Sequence, residues 1–406
     1  MTLTEPLDLR GGRPCWDDLR PDAYRTDSLP TASEIVIVGA GITGATLAWT
    51  LAKAGRQVTV LDRRTPATGS IAASTALVMW AADTPLTQLA TMRRPDHARR
   101  AWRRVHTAVE ALDETVRAEG INCQWRARPE LYLAGNLLDR EGLRAERGAR
   151  AAAGLPSLFV AAEDVEKRFG LPPRDALLSQ DCFTVDPVAL ALGFLDRARD
   201  AGAAVCFPFS AEALTHRAGR VLISTDKGTA IEARIVILAT GYEAPRLFLS
   251  DTFALGASFA IATPPGIAPA DDATPMIWEA SRSYLYQRTT EDGRIIIGGE
   301  DLDGAAPDTR DALLWEKKGR LAVAGAAMLG LDALPVDCAW SATFGRSPDG
   351  LPAIGRARNS ERVWLASGFG GNGISFAFLA AQLIEAALSG RPDQDADLFC
   401  PYRFDL

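Results

Sequence analysis

The chain has 406 residues, 47% of them hydrophobic and 23% charged, with a formal net charge of -7. That length exceeds one ordinary domain and that much apolar side chain fills sizeable cores, so a globular protein of two domains is expected, and the acidic balance argues against a nucleic-acid partner. The six cysteines lie far apart with no C-x-x-C, and His97, His106 and His216 are unclustered, which leaves free thiols, no metal site and no material for a Ser-His-Asp triad.

Residues 1–32 are rich in Pro, Gly and charge and read as an irregular lead-in, packed onto the body by Trp16 and Tyr24. The early acids and the lack of an apolar segment there argue against a secretory signal, so a cytoplasmic protein is expected. Next comes EIVIVGAGITGATLAWTLAKAGRQVTVLDRR, Glu34 to Arg64. Ile35 to Val38 is apolar and β-branched without alternation, as in a parallel strand covered on both faces. Gly39, Gly41 and Gly44 have the G-x-G-x-x-G spacing. The first allows a tight turn, the second lets backbone approach a pyrophosphate, and the third lets helix and strand pack closely. Ile42 and Thr43 open a helix whose free N-H groups suit phosphates. It ends at Gly55 and leads to a strand, Gln57 to Leu61, closed by Asp62 and followed by Arg63. A carboxylate there accepts from ribose hydroxyls and disfavours the 2′-phosphate of NADP, while FAD and NAD stay open.

The stretch TPATGSIAASTALVMWAADTPL has small side chains that let a flat ligand lie close to backbone. From Thr91 to about Gly120 a helical pattern carries Trp102, Val105, Val109 and Leu112 on one stripe and a run of arginines expected to be a solvated face. Glu130 to Ala134 reads as a strand, followed by charged helical segments, among them Ala161 to Phe169. Asp186 and Pro187 cap a helix, Val188 to Arg199. A short strand, Ala203 to Phe207, and a meander through Val221 to Ser224 precede a second fully apolar strand, Arg234 to Ala239, which runs into Thr240 and Gly241.

From Ala244 to about Leu334 prolines and hairpin signals mark a second domain. Ser283 to Arg288 and Arg294 to Ile297 flank Asp292-Gly293, a hairpin turn, and one amphipathic helix covers Asp308 to Met328. A final helix follows Gly370, Gly371, Asn372 and Gly373; its apolar run, Ile374 to Leu388, is too short and too polar to span a bilayer, so no integral membrane segment is expected.

Together with the opening unit, GSIAASTALV and DTPL, ILATGYE, WSATFGRSPDGLPAIG and SGFGGNGISFAFLAAQLI resemble, in this order, the D-amino-acid-oxidase-like superfamily of FAD-dependent oxidoreductases, which includes glycine oxidase, sarcosine oxidase and D-amino-acid dehydrogenases. The resemblance implies an α/β fold: a Rossmann-type FAD-binding domain over 1–90, 155–245 and 335–406, and an α+β substrate domain on an antiparallel sheet over 91–154 and 246–334. It implies extended FAD, with Gly39, Gly41, Ile42, Thr43, Gly44, Asp62 and Arg63 at the ADP half. Ser70, Ala73, Ser74 and Thr75 would line the pyrophosphate and flavin edge, Thr240 and Gly241 the adenosine side, and Gly370, Gly371, Asn372 and Gly373 the flavin pyrimidine. No histidine or suitably placed cysteine falls where covalent attachment would be expected, so FAD is expected to be non-covalent.

In such proteins the cofactor supplies the chemistry and the protein positions a C-H bond, so the scarcity of histidine does not count against an enzyme. The implied reaction is oxidation of a C-N bond of a small amine or amino acid, with 2-hydroxy-acid oxidation or flavin binding without turnover as alternatives. Two departures bear on it. Phe344 stands where glycine-oxidase-like members carry a carboxylate-clamping arginine, with Arg346 nearby and Arg288, on the strand of Tyr284 and Tyr286, as a replacement. Ile296 stands where sarcosine-oxidase-like members carry a lysine that promotes reaction with oxygen, so oxygen, a quinone or another acceptor remains open. Tyr284, Tyr286, Arg288, Phe344 and Arg346 are the substrate-side candidates. Trp278 and Trp340 read as core, and Glu300 and Asp301 as turn acids or as acids at the pocket mouth that would favour a cationic amine.

Overall fold

The computed structural model describes the chain except residues 1–2, 5, 17–23, 244–247, 250–251, 269–273, 305, 369 and 406, so part of the lead-in and Phe369 fall outside the described residues. Two sheets organise the rest.

In the first, the strand Ala32–Val38 lies between Val58–Leu61 and Ala230–Leu238, parallel to both, with Ala204–Cys206 beyond one and Val363–Ser367 beyond the other. Ile35, Val36 and Ile37 are at most 1% exposed, which is why their run shows no alternation. The helix Ile42–Lys53 is sandwiched between the helices Pro187–Asp200 and Gly373–Leu388. Trp49 meets Phe194 edge-on at 5.6 Å and stacks on Phe378 at 6.2 Å, so the three helices are pinned by one aromatic cluster. Asp186 accepts from the N-H groups of Val188 and Ala189, both at 2.9 Å, as its capping position requires.

Among the described residues the second sheet has nine strands, antiparallel except where Met276–Glu279 runs beside Glu130–Leu133. Its core is the hairpin Leu285–Thr289 and Ile295–Asp303, closed through Gly293 at φ +77, with Ala254–Ala262 and then Cys338–Arg346 on the side of the second strand and Met276–Glu279 on the side of the first. The division of the chain between sheets differs from expectation. Ser157–Val160, Ala176–Ser179 and Cys338–Arg346, all within segments assigned to the nucleotide domain, lie in this sheet. The reason is that a strand joins whichever edge its neighbours present, and no local signal in a four-residue strand records that edge.

Two helical patterns are interrupted. Leu86–Met92 and Pro95–Ala118 are separate helices, because Pro95 starts one and holds Arg94 extended at ψ 132. The pattern from Asp308 splits into Pro307–Ala312 and Leu314–Leu329. The arginine face is not simply solvated. Arg100 and Arg104 donate to Asp395 and Asp393 at 2.7 and 2.9 Å, tying this helix to the C-terminal segment. The lead-in packs as expected: Trp16 donates to the Ser74 carbonyl at 2.8 Å, and Tyr24 to Asp196 at 3.0 Å. All six cysteines are unpaired, and no helix among the described residues is long and apolar enough to cross a membrane.

Candidate functional site

A cleft lined by residues of both sheets runs through the described part of the chain. Of the residues expected at a cofactor, all but Gly44 line it: Gly39, Gly41, Ile42, Thr43, Asp62, Arg63, Ser70, Ala73, Ser74, Thr75, Thr240, Gly241, Gly370, Gly371, Asn372 and Gly373. Tyr284, Tyr286 and Phe344 line the same cleft further along.

At the glycine turn, Gly39 takes φ +115 and a Cβ there would sit 2.3 Å from the Ala239 carbonyl oxygen, so the turn and the neighbouring strand demand glycine. Gly44 is behind the turn. A Cβ on it would lie 1.8 Å from the Gly39 carbonyl oxygen, so it serves close packing rather than the cleft. Around Gly41, by contrast, a Cβ would meet nothing within 4 Å, which is the room a phosphate needs.

Asp62 is held by main chain: one oxygen accepts from Ala40 N-H at 2.6 Å, the other from Arg64 N-H at 2.8 Å. Burial pushes its carboxyl up, and those two N-H groups pull it back. Beside it, Arg64 donates to Glu243 at 3.0 Å, and Glu243 also accepts from Leu7 N-H at 2.8 Å. Two buried polar atoms at this end, Arg63 Nη1 and Thr240 Oγ1, have no hydrogen-bond partner among the described residues. Orphaned atoms in a cleft wall are what a polar ligand would satisfy, and an open glycine turn, a ribose-level carboxylate and these two groups fit the ADP half of FAD.

At the other end the helix Gly373–Leu388 points its N-terminus into the cleft, where a helix favours negative charge. The Gly371 N-H is engaged by Asp83 at 2.6 Å, and Asn372 donates to the Ala81 carbonyl, so the DTPL segment fixes the glycine cluster. Asp83 itself lines the cleft, and burial raises its pKa against the pull of that N-H and of Arg346.

Beyond it stands an aromatic box. Trp278 and Tyr284 meet edge-on at 6.3 Å, Tyr284 and Tyr286 at 5.9 Å, and Phe344 completes the wall. Burial pushes both tyrosine hydroxyls far above their ordinary range, so they stay protonated and act as donors, not bases. Tyr286 lies across Gly298, where a Cβ would be 2.3 Å from its ring, and its hydroxyl is 3.3 Å from Ser258 Oγ. Trp278, read from sequence as core, is 4% exposed yet forms part of the box. Trp340 is core, donating to the Ala73 carbonyl at 2.9 Å behind the cleft.

Two candidates are absent from the cleft wall. Arg288 is buried and its guanidinium donates to the carbonyls of Thr75 at 2.6 Å and Val185 at 2.8 Å. Its own strand face is right, but the side chain supports the Thr75 segment from behind; burial lowers its pKa to about 10. Arg346 stacks over Phe344 at 4.9 Å and is held by Asp301 at 3.5 Å and by Asp303. Asp301 does line the cleft, together with Ser258, for which the sequence carried no signal. Away from the cleft, His106 has Glu110 at 3.2 Å from Nδ1 and Asp181 at 3.2 Å from Nε2; the carboxylates approach opposite nitrogens of one ring, and both are solvent-exposed.

The family model described as FAD dependent oxidoreductase matches residues 34–387. Glycine oxidase of Bacillus licheniformis is 24% identical over 363 residues, covering 88% of this chain and 94% of that protein. Among solved structures, L-proline dehydrogenase from P. horikoshii superposes with a TM-score of 0.78 at 21% identity, covering 93% of this chain and 99% of the other. L-alpha-glycerophosphate oxidase from Mycoplasma pneumoniae with FAD bound superposes with a TM-score of 0.70 at 15% identity, covering 88% and 95%.

Proposed function

This chain belongs to the FAD dependent oxidoreductase family, and from that premise we propose that it oxidises a C-N bond of a small amine or amino acid to an imine, which water then hydrolyses. The observation that carries the proposal is the continuity of one cleft from the glycine turn to the aromatic box of Trp278, Tyr284, Tyr286 and Phe344. A substrate in that box would adjoin the flavin end of an extended cofactor.

FAD, when bound, supplies an electron sink that accepts a hydride at N5. The residues of the chain do the rest. Gly39 to Thr43 and the helix they open would hold the pyrophosphate, and Asp62 the ribose. Gly370 to Gly373, which line the cleft at the N-terminus of the last helix, would favour negative charge at the flavin pyrimidine. The box excludes water and orients the substrate C-H bond. Ile296 is fully buried in its strand, and among the described residues of the cleft wall there is no lysine of the kind that promotes reaction with oxygen. The proposal therefore includes a dehydrogenase that passes electrons to a quinone or other acceptor.

The test is anaerobic incubation of the holoenzyme with amines, D- and L-amino acids and 2-hydroxy acids. Bleaching of the oxidised flavin band by an amine or amino acid, with release of ammonia or a primary amine, is expected. Bleaching by hydroxy acids alone would shift the reaction to C-O oxidation, and bleaching by nothing would refute turnover. Oxygen consumption against dye reduction then separates oxidase from dehydrogenase. Acid precipitation is expected to release FAD into the supernatant; flavin kept in the pellet would overturn non-covalent binding.

A further inference from the structure

We propose that Asp301 is the counter-ion for a positively charged substrate nitrogen held against Trp278, Tyr284, Tyr286 and Phe344, and that the substrate is an amine with no carboxylate to be clamped. This rests on the oxidoreductase reading of the cleft and adds the substrate class.

Strand geometry brings Asp301 there. In the strand Ile295–Asp303, Gly298 pairs with Tyr286 and carries its ring, so Gly298 faces the box. Regular alternation from Gly298 would aim Glu300 at the box and turn Asp301 away. Against Ala254–Ala262, however, Phe259 pairs with Gly299 and Ala257 with Leu302, so one extra residue is inserted on the hairpin strand. Gly299 at φ +138 and Glu300 at φ +57 absorb it. The bulge reverses the phase. Glu300 leaves to the far side, where Lys317 donates to it at 2.8 Å, and Asp301 enters the cleft beside Ser258.

Its side chain is 12% exposed; Arg346 lies 3.5 Å from Oδ2 and Ser258 is within hydrogen-bonding reach of the carboxyl, while Oδ1 is buried with no hydrogen-bond partner among the described residues. A buried carboxylate oxygen without a donor is costly unless a ligand supplies one. The rings around it have hydroxyls that remain neutral, and their faces attract a cation. Among the described residues of the cleft wall the basic ones are Arg63 and Arg64, both at the ADP end. Arg346, the nearest guanidinium, is turned onto Asp301, Asp303 and the Phe344 ring. The box therefore offers a cation one acceptor oxygen, Asp301 Oδ1, and offers a carboxylate no free fork.

Burial raises the Asp301 pKa to about 6, with Asp83 adding to it, while Ser258, Arg346 and Lys317 oppose the rise. The carboxylate thus becomes neutral as pH falls through that value, and a bound cation loses its partner.

The experiment titrates the oxidised holoenzyme with tetramethylammonium, which has no proton to lose and no C-H bond adjoining a neutral amine. Tert-butanol, a neutral molecule of similar size, and acetate serve as controls at constant ionic strength. Binding is read from the flavin visible spectrum and by calorimetry. Tetramethylammonium is expected to bind, and the controls are not. In the wild type, affinity should fall as pH drops through about 6 and level off near that of the neutral variant. Asp301→Asn should weaken binding by about tenfold or more and remove the pH step, which separates Asp301 from Asp83. Equal affinity in wild type and variant, tighter binding of acetate, or no binding of the cation would overturn the proposal. Should the variant not retain FAD, a wild-type affinity flat from low to neutral pH would overturn it as well. Because the titration needs no turnover, its failure is distinct from failure of the enzyme reading. A chain bleached only by amino acids, with KM raised by Arg346→Leu, keeps the latter and loses this.

Discussion

Gly41→Val is expected to leave the chain folded and to strip it of FAD, whereas Gly44→Val is expected to damage the fold itself. Both glycines belong to one motif, but their surroundings differ. Gly41 has φ -79, which any residue can adopt, and a Cβ on it meets no atom within 4 Å. The side chain added there costs the empty protein little, and its effect appears only when a pyrophosphate tries to approach the turn. At Gly44 the added Cβ falls 1.8 Å from the Gly39 carbonyl oxygen, a main-chain atom that cannot rotate away. Overpacking of this kind costs about 1–3 kcal/mol, and contact with backbone puts it at the upper end or beyond. The ratio of flavin to protein absorbance, measured beside thermal unfolding of the flavin-free form, separates the two effects. Wild-type FAD content in Gly41→Val would mean that the pyrophosphate does not lie at this turn.

This contrast also marks what could be seen in the residues alone. The strand, glycine triplet, helix and Asp62 are contiguous, and local sterics decide each of them, so the motif foretold the wall of the cleft from Gly39 to Thr43. The cluster Gly370 to Gly373 was placed by the family resemblance, and it too lines the cleft. Arg288 was misplaced because strand alternation gives the face of a side chain but not its end point. The guanidinium reaches past the cleft wall to two carbonyls, which only the fold brings together. Asp301 was noticed but could not be aimed, since its direction depends on a bulge defined by pairing with a strand some forty residues earlier. Trp278 looked like core and is both core and wall, with one face on Tyr132 and its edge toward Tyr284.

The second large effect is expected from Arg150→Met, far from the cleft wall. Arg150 is fully buried, 2.9 Å from Glu146, with its guanidinium 5.4, 5.0 and 5.6 Å from the rings of Trp80, Trp102 and Tyr132. Glu146 in turn accepts from the N-H groups of Leu86 and Thr87 at 3.0 and 2.9 Å, capping the helix that starts there. A second buried carboxylate, Glu130, accepts from the Trp278 indole; burial raises its pKa and Arg150 is the first group opposing that rise. Methionine would fill the space of the arginine but leave two buried carboxylates without a cation. Breaking one side of a buried pair costs about 3–5 kcal/mol, unlike replacement of both sides. Glu146→Gln added to Arg150→Met should therefore recover part of the loss. The pH dependence has a definite sign. A carboxyl whose folded pKa is raised favours folding below its unfolded pKa and loses that contribution as pH rises through the folded value. With Arg150 gone, Glu130 is raised further, so the deficit of the variant should shrink in acid and widen toward neutral pH. Denaturant unfolding at acidic and neutral pH measures it. Tyr132 stacks on Trp278 at 4.2 Å, so loosening this cluster should also raise KM more than it lowers kcat. A variant as stable as wild type at neutral pH would show that Arg150 does not carry the charge of this core, and an unchanged KM would separate the core from the aromatic box.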